Sequence, residues 1–120
     1  MFYELIIDRN DKFGGLLVSL IREEIVGSEG VLEVFNSLKF GPIAGCMVLE
    51  GSDLRSKPVR VLRDEIVIFE GELDSLRRFK DDIGEVKNGT ECVIGIKNDK
   101  DVKAGDKIEV FDRKVEAQTL

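Results

Sequence analysis

The 120-residue sequence is 42% hydrophobic and 35% charged, with a formal net charge of −6 and no histidine. Length and composition describe one soluble globular domain with a core of its own. The acidity excludes a broad duplex nucleic-acid interface, which needs a basic face making many phosphate contacts, but permits a small contact with a nucleic-acid end.

The N-terminus, "MFYELIIDRND", has no basic region and no apolar run of signal-peptide or membrane-span type. "FYELII" suits either a short strand or a frayed helical end. From Phe13 to Val26, apolar residues fall at Phe13, Leu16, Leu17, Leu20, Ile21 and Ile25, with Arg22, Glu23 and Glu24 off that stripe. This spacing predicts an amphipathic helix, weakened at its start by Gly14-Gly15 and stopped at Gly27.

From Gly30 the period becomes two. "VLEVF" (31–35), "IAGCMVLE" (43–50), "VRVLRDEIVIFEG" (59–71), "ECVIGI" (91–96) and "DKIEVFDRKVEA" (106–117) read as short strands separated by turn residues. Pro58 suits a strand start, Arg63-Asp64-Glu65 a tight hairpin turn, and "KAGDK" (103–107) another turn. Strands at this spacing predict a small antiparallel β-barrel. The segment "LDSLRRFKDDIGEV" lacks this alternation. Leu73, Leu76 and Phe79 follow a helix-like spacing there, so a turn or short helix is expected.

The chemistry available is restricted. Without histidine, Ser-His-Asp and Cys-His nucleophiles are absent. Two cysteines, Cys46 and Cys92, give no disulfide framework, suit a reducing compartment, and without histidine make a poor zinc site. The glycines of "FGGLL" and "GPIAG" are not followed by the Lys-Ser/Thr of a phosphate-binding loop, and no carboxylate pair has catalytic spacing. The residues therefore point away from an enzyme. One stretch stands out. In "LDSLRRFKDD", Arg77, Arg78 and Lys80 surround Phe79 in an otherwise acidic chain. It is either a solvated turn or a small site for an anionic ligand with a planar or apolar part.

The motifs "FGPIAGCMVLEG" (40–51), "VRVLRD" (59–64), "FEGELDSLRRFKDD" (69–82), "EVKNGTECVIGIKN" (85–98) and "AGDKIEVF" (104–111) are long, ordered and correctly spaced. With them the chain, from Glu33 onward, resembles the C-terminal domain of the bacterial translation initiation factor 2 family. Residues 21–35 resemble the segment that joins this domain to a long linker helix. The resemblance implies a mainly β domain, a small antiparallel barrel of the translational-GTPase domain-II type, over residues 29–120. Residues 1–28 are then the remnant of the linker helix. It implies a non-catalytic, cytoplasmic, monomeric binding module that holds the formylmethionyl acceptor end of initiator tRNA. The ribosome is reached through the parent factor, with no membrane or DNA partner. No cofactor is implied for this chain; GTP and magnesium belong to the parent factor's GTPase domain.

The family's basic-aromatic stretch falls on Arg77, Arg78, Phe79 and Lys80, its Glu-Cys-Gly stretch on Glu91, Cys92 and Val93, and its remaining cysteine on Cys46. Val93 replaces a glycine, and Asp99 stands where an aromatic is usual. By this resemblance the basic residues would take phosphate and ribose, Phe79 would stack on adenine or methionine, and the cysteines would wall an apolar pocket. Glu91 is expected at the rim, because a carboxylate facing the amine would favour the unformylated form. The alternative is a structural or protein-interaction barrel that docks on ribosome or neighbouring domains without a ligand. Exposure separates the two: a ligand site wants Arg78, Phe79 and Cys92 accessible and close, a structural domain wants Phe79 and Cys92 buried.

Overall fold

The computed structural model describes residues 2–8, 17–39, 41–99 and 101–119. Two compact units are present, one made of Met1–Ile25 with Asp112–Leu120, the other of Val26–Phe111. No helix among the described residues is long and apolar enough to cross a membrane.

In the first unit, β1 (Phe2–Asp8) pairs antiparallel with the start of β2 (Leu17–Ser37), from Phe2↔Glu23 to Asp8↔Leu17. The ambiguous "FYELII" is thus a strand. The predicted helix is overturned from residue 17 onward, while Phe13 to Leu16 lie outside the described residues. A short amphipathic helix gains most of its stability from packing its apolar face. Here Ile25 of that face is exposed, and the backbone groups find partners in a seven-residue ladder with β1 instead. The Arg113 guanidinium donates to Glu23 Oε1 at 2.7 and 3.0 Å.

The second unit contains the remaining strands: β3 (Gly41–Leu54), β4 (Val59–Arg63), β5 (Ile66–Gly71), β6 (Leu73–Arg78), β7 (Asp81–Asp82), β8 (Glu85–Lys87), β9 (Glu91–Ile96) and the start of β10 (Lys107–Thr119). Their order is β5-β4-β10-β2-β3-β9-β6-β7, with β8 on the far end of β3. Val59 and Val61 of β4 share one buried cluster with Leu73 and Leu76 of β6, although the two strands lie towards opposite ends of that order. The sheet therefore bends round its own core. The expected closed barrel is corrected to an open sheet: β5 and β7 are its ends, and β7 has only two residues with which to close it.

The helix-like spacing of Leu73 and Leu76 also has a strand origin. Leu73 pairs with Ile96, Ser75 with Gly95 and Leu76 with Ile94, so a register shift between Leu73 and Ser75 brings all three inward. A bulge of this kind converts period two into an apparent period of three. The hairpin at Arg63-Asp64-Glu65 forms as expected: Arg63 pairs with Ile66 and the two acids between have φ of 52° and 65°. Positive φ at both central residues is the handedness of a type I′ turn, which matches strand twist but favours Asn or Gly. The Arg63 guanidinium then clamps the loop before β10, with Nε and a terminal nitrogen each 2.9 Å from the Asp106 carboxylate. That pairing holds the Asp106 carboxyl below its usual range.

The tightest point is the pair Gly27↔Gly51, where β2 and β3 cross. A Cβ at Gly27 would lie 2.2 Å from Ser52 O, and one at Gly51 2.1 Å from Val26 O. Both contacts are with backbone, which cannot swing aside. Gly27→Ala is expected to cost about 2–3 kcal/mol or more in denaturant-unfolding midpoints. Gly30→Ala, whose new methyl would meet only the flexible end of Leu49 at 3.5 Å, should stay within about 0.5 kcal/mol. Conversely, Glu65→Gly should raise stability by about 0.5–1 kcal/mol, because it relieves a left-handed residue in the hairpin turn.

Candidate functional site

β3 and β9 run antiparallel with Ala44↔Ile94, Gly45↔Val93, Cys46↔Cys92 and Met47↔Glu91 in register. Alternation sends Ala44, Cys46, Cys92 and Ile94 into the core and leaves Gly45, Met47, Glu91 and Val93 on the other face. That face is the floor of a cleft of about 600 Å³. One wall comes from β2, where a register shift between Val31 and Glu33 leaves both Leu32 and Glu33 exposed, with Phe35 beyond them. The opposite wall is Arg78 and Phe79 at the end of β6, and Gly89-Thr90 closes one end.

Six of the eight residues named from sequence line this cleft: Cys46, Arg78, Phe79, Glu91, Cys92 and Val93. The other two do not. Arg77 faces a neighbouring groove, with its Nε 3.1 Å from Asp82 Oδ1, and Lys80 is exposed in the turn outside the cleft. Strand alternation separates the two arginines, because adjacent residues of β6 point to opposite faces. Phe79 is 85% exposed, at φ 59°, with the Arg78 guanidinium 5.5 Å from its ring centre. A bulky aromatic held in the left-handed region and left in water is an outlier that packing does not explain. Exposure therefore splits the two readings: Arg78 and Phe79 are accessible, while Cys92 is only 4% exposed and meets the cleft from beneath its floor. Glu91 is exposed at the lip, and Val93 is half-buried opposite Gly45; the space a side chain at Gly45 would take is faced by the Phe35 ring. Asp99 is buried and accepts a hydrogen bond from the Asp101 N–H at 2.8 Å, fixing its own turn outside the cleft. Among the described residues that line the cleft Arg78 is the only cation, against Glu33 and Glu91.

Sequence reasoning missed the β2 wall. The signal was present: "VLEVF" has apolar residues at adjacent positions 31 and 32, and a strand cannot bury both without an irregularity. It also missed two acids beneath the floor. The register shift between Ser28 and Glu29 turns both inward, so Glu29 is 0% exposed, beside Asp53 at 1% and within 3.4 Å of the Cys92 thiol, which donates to it. Burial, then the Asp53 charge, pushes the Glu29 carboxyl up to about 9. Burial raises Asp53 too, and raises both thiols beyond their ordinary range.

No family model matches the chain. All 120 residues, however, align at 58% identity with "Translation initiation factor IF-2" of Alcanivorax borkumensis, and at 58% with that of Xanthomonas euvesicatoria pv. vesicatoria. The chain is homologous along its whole length to bacterial IF-2. It spans about 13% of the length of these IF-2 relatives. The crystal structure of GDP-bound aIF5B from Aeropyrum pernix shares the fold, with a TM-score of 0.60 and 20% identity over 74% of this chain and 17% of that one. The IF-2 resemblance read from the motifs 40–51, 59–64, 69–82, 85–98 and 104–111 thus extends through the N-terminal residues as well.

The buried acids give a pH dependence. Unfolded, Glu29 ionises near the ordinary 4.5 of a glutamate; folded, burial lets it hold its proton up to about 9. Between these limits the folded chain binds a proton that the unfolded chain has released. The corresponding stability is complete below the lower value and is lost as pH rises through the upper one, at up to about 1.4 kcal/mol per pH unit. Denaturant unfolding from pH 5 to 9 in chelator-containing buffer should show this decline, and Glu29→Gln should flatten it. A level wild-type profile would contradict the protonated acid.

Proposed function

We propose that the chain is the initiator-binding module of a translation initiation factor, and that its cleft takes the formylmethionyl acceptor end of initiator tRNA. The observation that carries this reading is the convergence of three segments distant in sequence, around Cys46, Arg78-Phe79 and Glu91–Val93, on one cleft. At about 600 Å³ the cleft is of small-ligand size. Residues 29–120 would form the module and 1–28 its connection to the rest of the factor, which would bring GTP, magnesium and the ribosome. The module itself performs no catalysis.

Arg78 suits the terminal phosphate or ribose, since a guanidinium donates in a fork that matches phosphate oxygens. Phe79 offers an exposed ring on which adenine can stack. Leu32, Phe35, Met47 and Val93 supply the apolar wall for the methionine side chain, and backbone groups around Thr90–Val93 can meet the formamide. Formylation removes the charge of the α-amine. A cleft that desolvates this group accepts the neutral amide and rejects an ammonium, whose burial without a partner costs several kcal/mol. Glu91 at the lip stays in water and does not reverse that preference. Arg77 and Lys80 act at most on the nucleic acid beyond the cleft.

A second reading, a docking module without ligand, is favoured by one feature. Edge strand β5 exposes Ile66, Val67 and Ile68. The test is protection of the ester bond of formylmethionyl-tRNA against spontaneous hydrolysis, with methionyl-tRNA as control. Selective protection that is lost in Arg78→Ala supports the initiator site. No protection in the wild type gives the lead to docking. Each phosphate contact on a single strand adds about −0.7 to the salt slope of log K, so Arg78→Ala should reduce the slope by about that amount.

A further inference from the structure

Under the cleft floor lies a cluster whose chemistry the binding of an acceptor end does not use. One carboxylate oxygen of Glu29, one of Asp53 and Cys92 Sγ lie within 4.8 Å of one another, all buried. Among the described residues, no group outside the cluster donates to either oxygen of Asp53 or to Glu29 Oε1; the two acids meet only each other and the thiol. Carboxylates only accept, so these oxygens face one another and a thiol with a single proton donor among them. Two adjacent buried negative charges without a counter-charge cost several kcal/mol each. Positive charge must lie between them, as a shared proton or as a cation.

With a shared proton the thiol serves only as a hydrogen-bond donor to Glu29; with a cation all three groups of the cluster become ligands. In a tetrahedral zinc site with Zn–S about 2.3 Å and Zn–O about 2.0 Å, the S···O edge is about 3.5 Å. The observed distance from Cys92 Sγ to Glu29 Oε2 is 3.4 Å. Three atoms mutually within 4.8 Å share a centre no more than about 2.8 Å from any of them, so sub-ångström movements reach coordination distances. Cys46 lies directly across from Cys92, is 1% exposed, and spends its thiol on a long 3.7 Å contact to Ala44 O that is easily given up. The cysteines alone, without histidine, were too few for zinc; the fold adds two carboxylates.

We propose that Glu29, Asp53 and Cys92, with Cys46 as fourth donor, form a buried site for a borderline-soft divalent cation, for which zinc is the best match. Binding displaces the proton between the carboxyls and the protons of the two thiols, and all of them go to water. The cation neutralises the acids and ties β2, β3 and β9 together beneath the cleft. This site stands whether or not the cleft takes initiator tRNA.

The test uses the whole 120-residue chain, reduced and stripped with chelator, titrated with Co²⁺ as a visible probe and then with Zn²⁺. One equivalent of cobalt should give a thiolate-to-metal charge-transfer band and tetrahedral d–d bands, zinc should displace it, and Tm should rise on metal addition. Glu29→Gln and Asp53→Asn keep side-chain shape and remove a buried charge, so they should fold; each should weaken binding about tenfold or more. Cys92→Ser and Cys46→Ser should each remove about half the charge-transfer intensity, one of two thiolate ligands being lost. Absence of any band and of any zinc-dependent rise in Tm at micromolar metal overturns the site. Undiminished binding in Asp53→Asn, or a full-strength band in Cys92→Ser, does so as well.

Discussion

The close crossing of β2 and β3 at Gly27 and Gly51 sets the geometry on which the rest depends. Each backbone occupies the space in which the other's Cβ would stand. Strands that approach so closely must twist sharply, and the register shift beside the crossing, between Ser28 and Glu29, is the local result. β3 pairs with β2 from Gly41 to Gly51, with β9 from Ala44 to Met47 and with β8 from Ser52 to Leu54. The cleft floor and the buried acids Glu29 and Asp53 lie on this one strand or on its immediate partners.

Two faces of the same β3–β9 ladder carry opposite chemistry. Outward are Gly45, Met47, Glu91 and Val93, a shallow surface with room for a ligand. Inward are Cys46 and Cys92, packed with Ala44 and Ile94 and, through Cys92, against Glu29. Small residues at Gly45 and the two cysteines keep this ladder thin, so the two chemistries are separated by little more than a sheet's thickness. An acid in such a place is costly unless its charge is met. At Glu29 and Asp53 burial favours the neutral, protonated form over a bare charge, and at Asp106 the Arg63 fork meets the charge directly.

Much of the fold was legible because period two is a local signal. The strands at 31–35, 43–50, 59–71, 91–96 and 106–117 all appear, as does the turn at Asp64-Glu65. What failed is what periodicity cannot decide alone. Leu17, Leu20, Ile21 and Ile25 fit one helical face, but the partner that makes them a strand lies at residues 2–8. Leu73 and Leu76 fit a helical turn, but a bulge against β9 accounts for their spacing. The predicted barrel stays open because closure depends on a two-residue strand whose length no pattern announces. In the site, resemblance supplied Arg78, Phe79 and Glu91 to Val93, while strand alternation moved Arg77 to another groove. Glu29 and Asp53 were invisible: each is a lone acid among turn-like residues, "GSEG" and "GSD", and only long-range register buries them.

Cys92 belongs to both faces, as part of the cleft floor and as hydrogen-bond donor to Glu29. Whatever moves this residue from one side moves it for the other. If an occupant below shifts the affinity of a ligand above by some factor, the ligand must shift the affinity of that occupant by the same factor, because both describe one thermodynamic cycle. A single thin ladder thus makes inside and outside two ends of one equilibrium, and a measurement at either end reports on both.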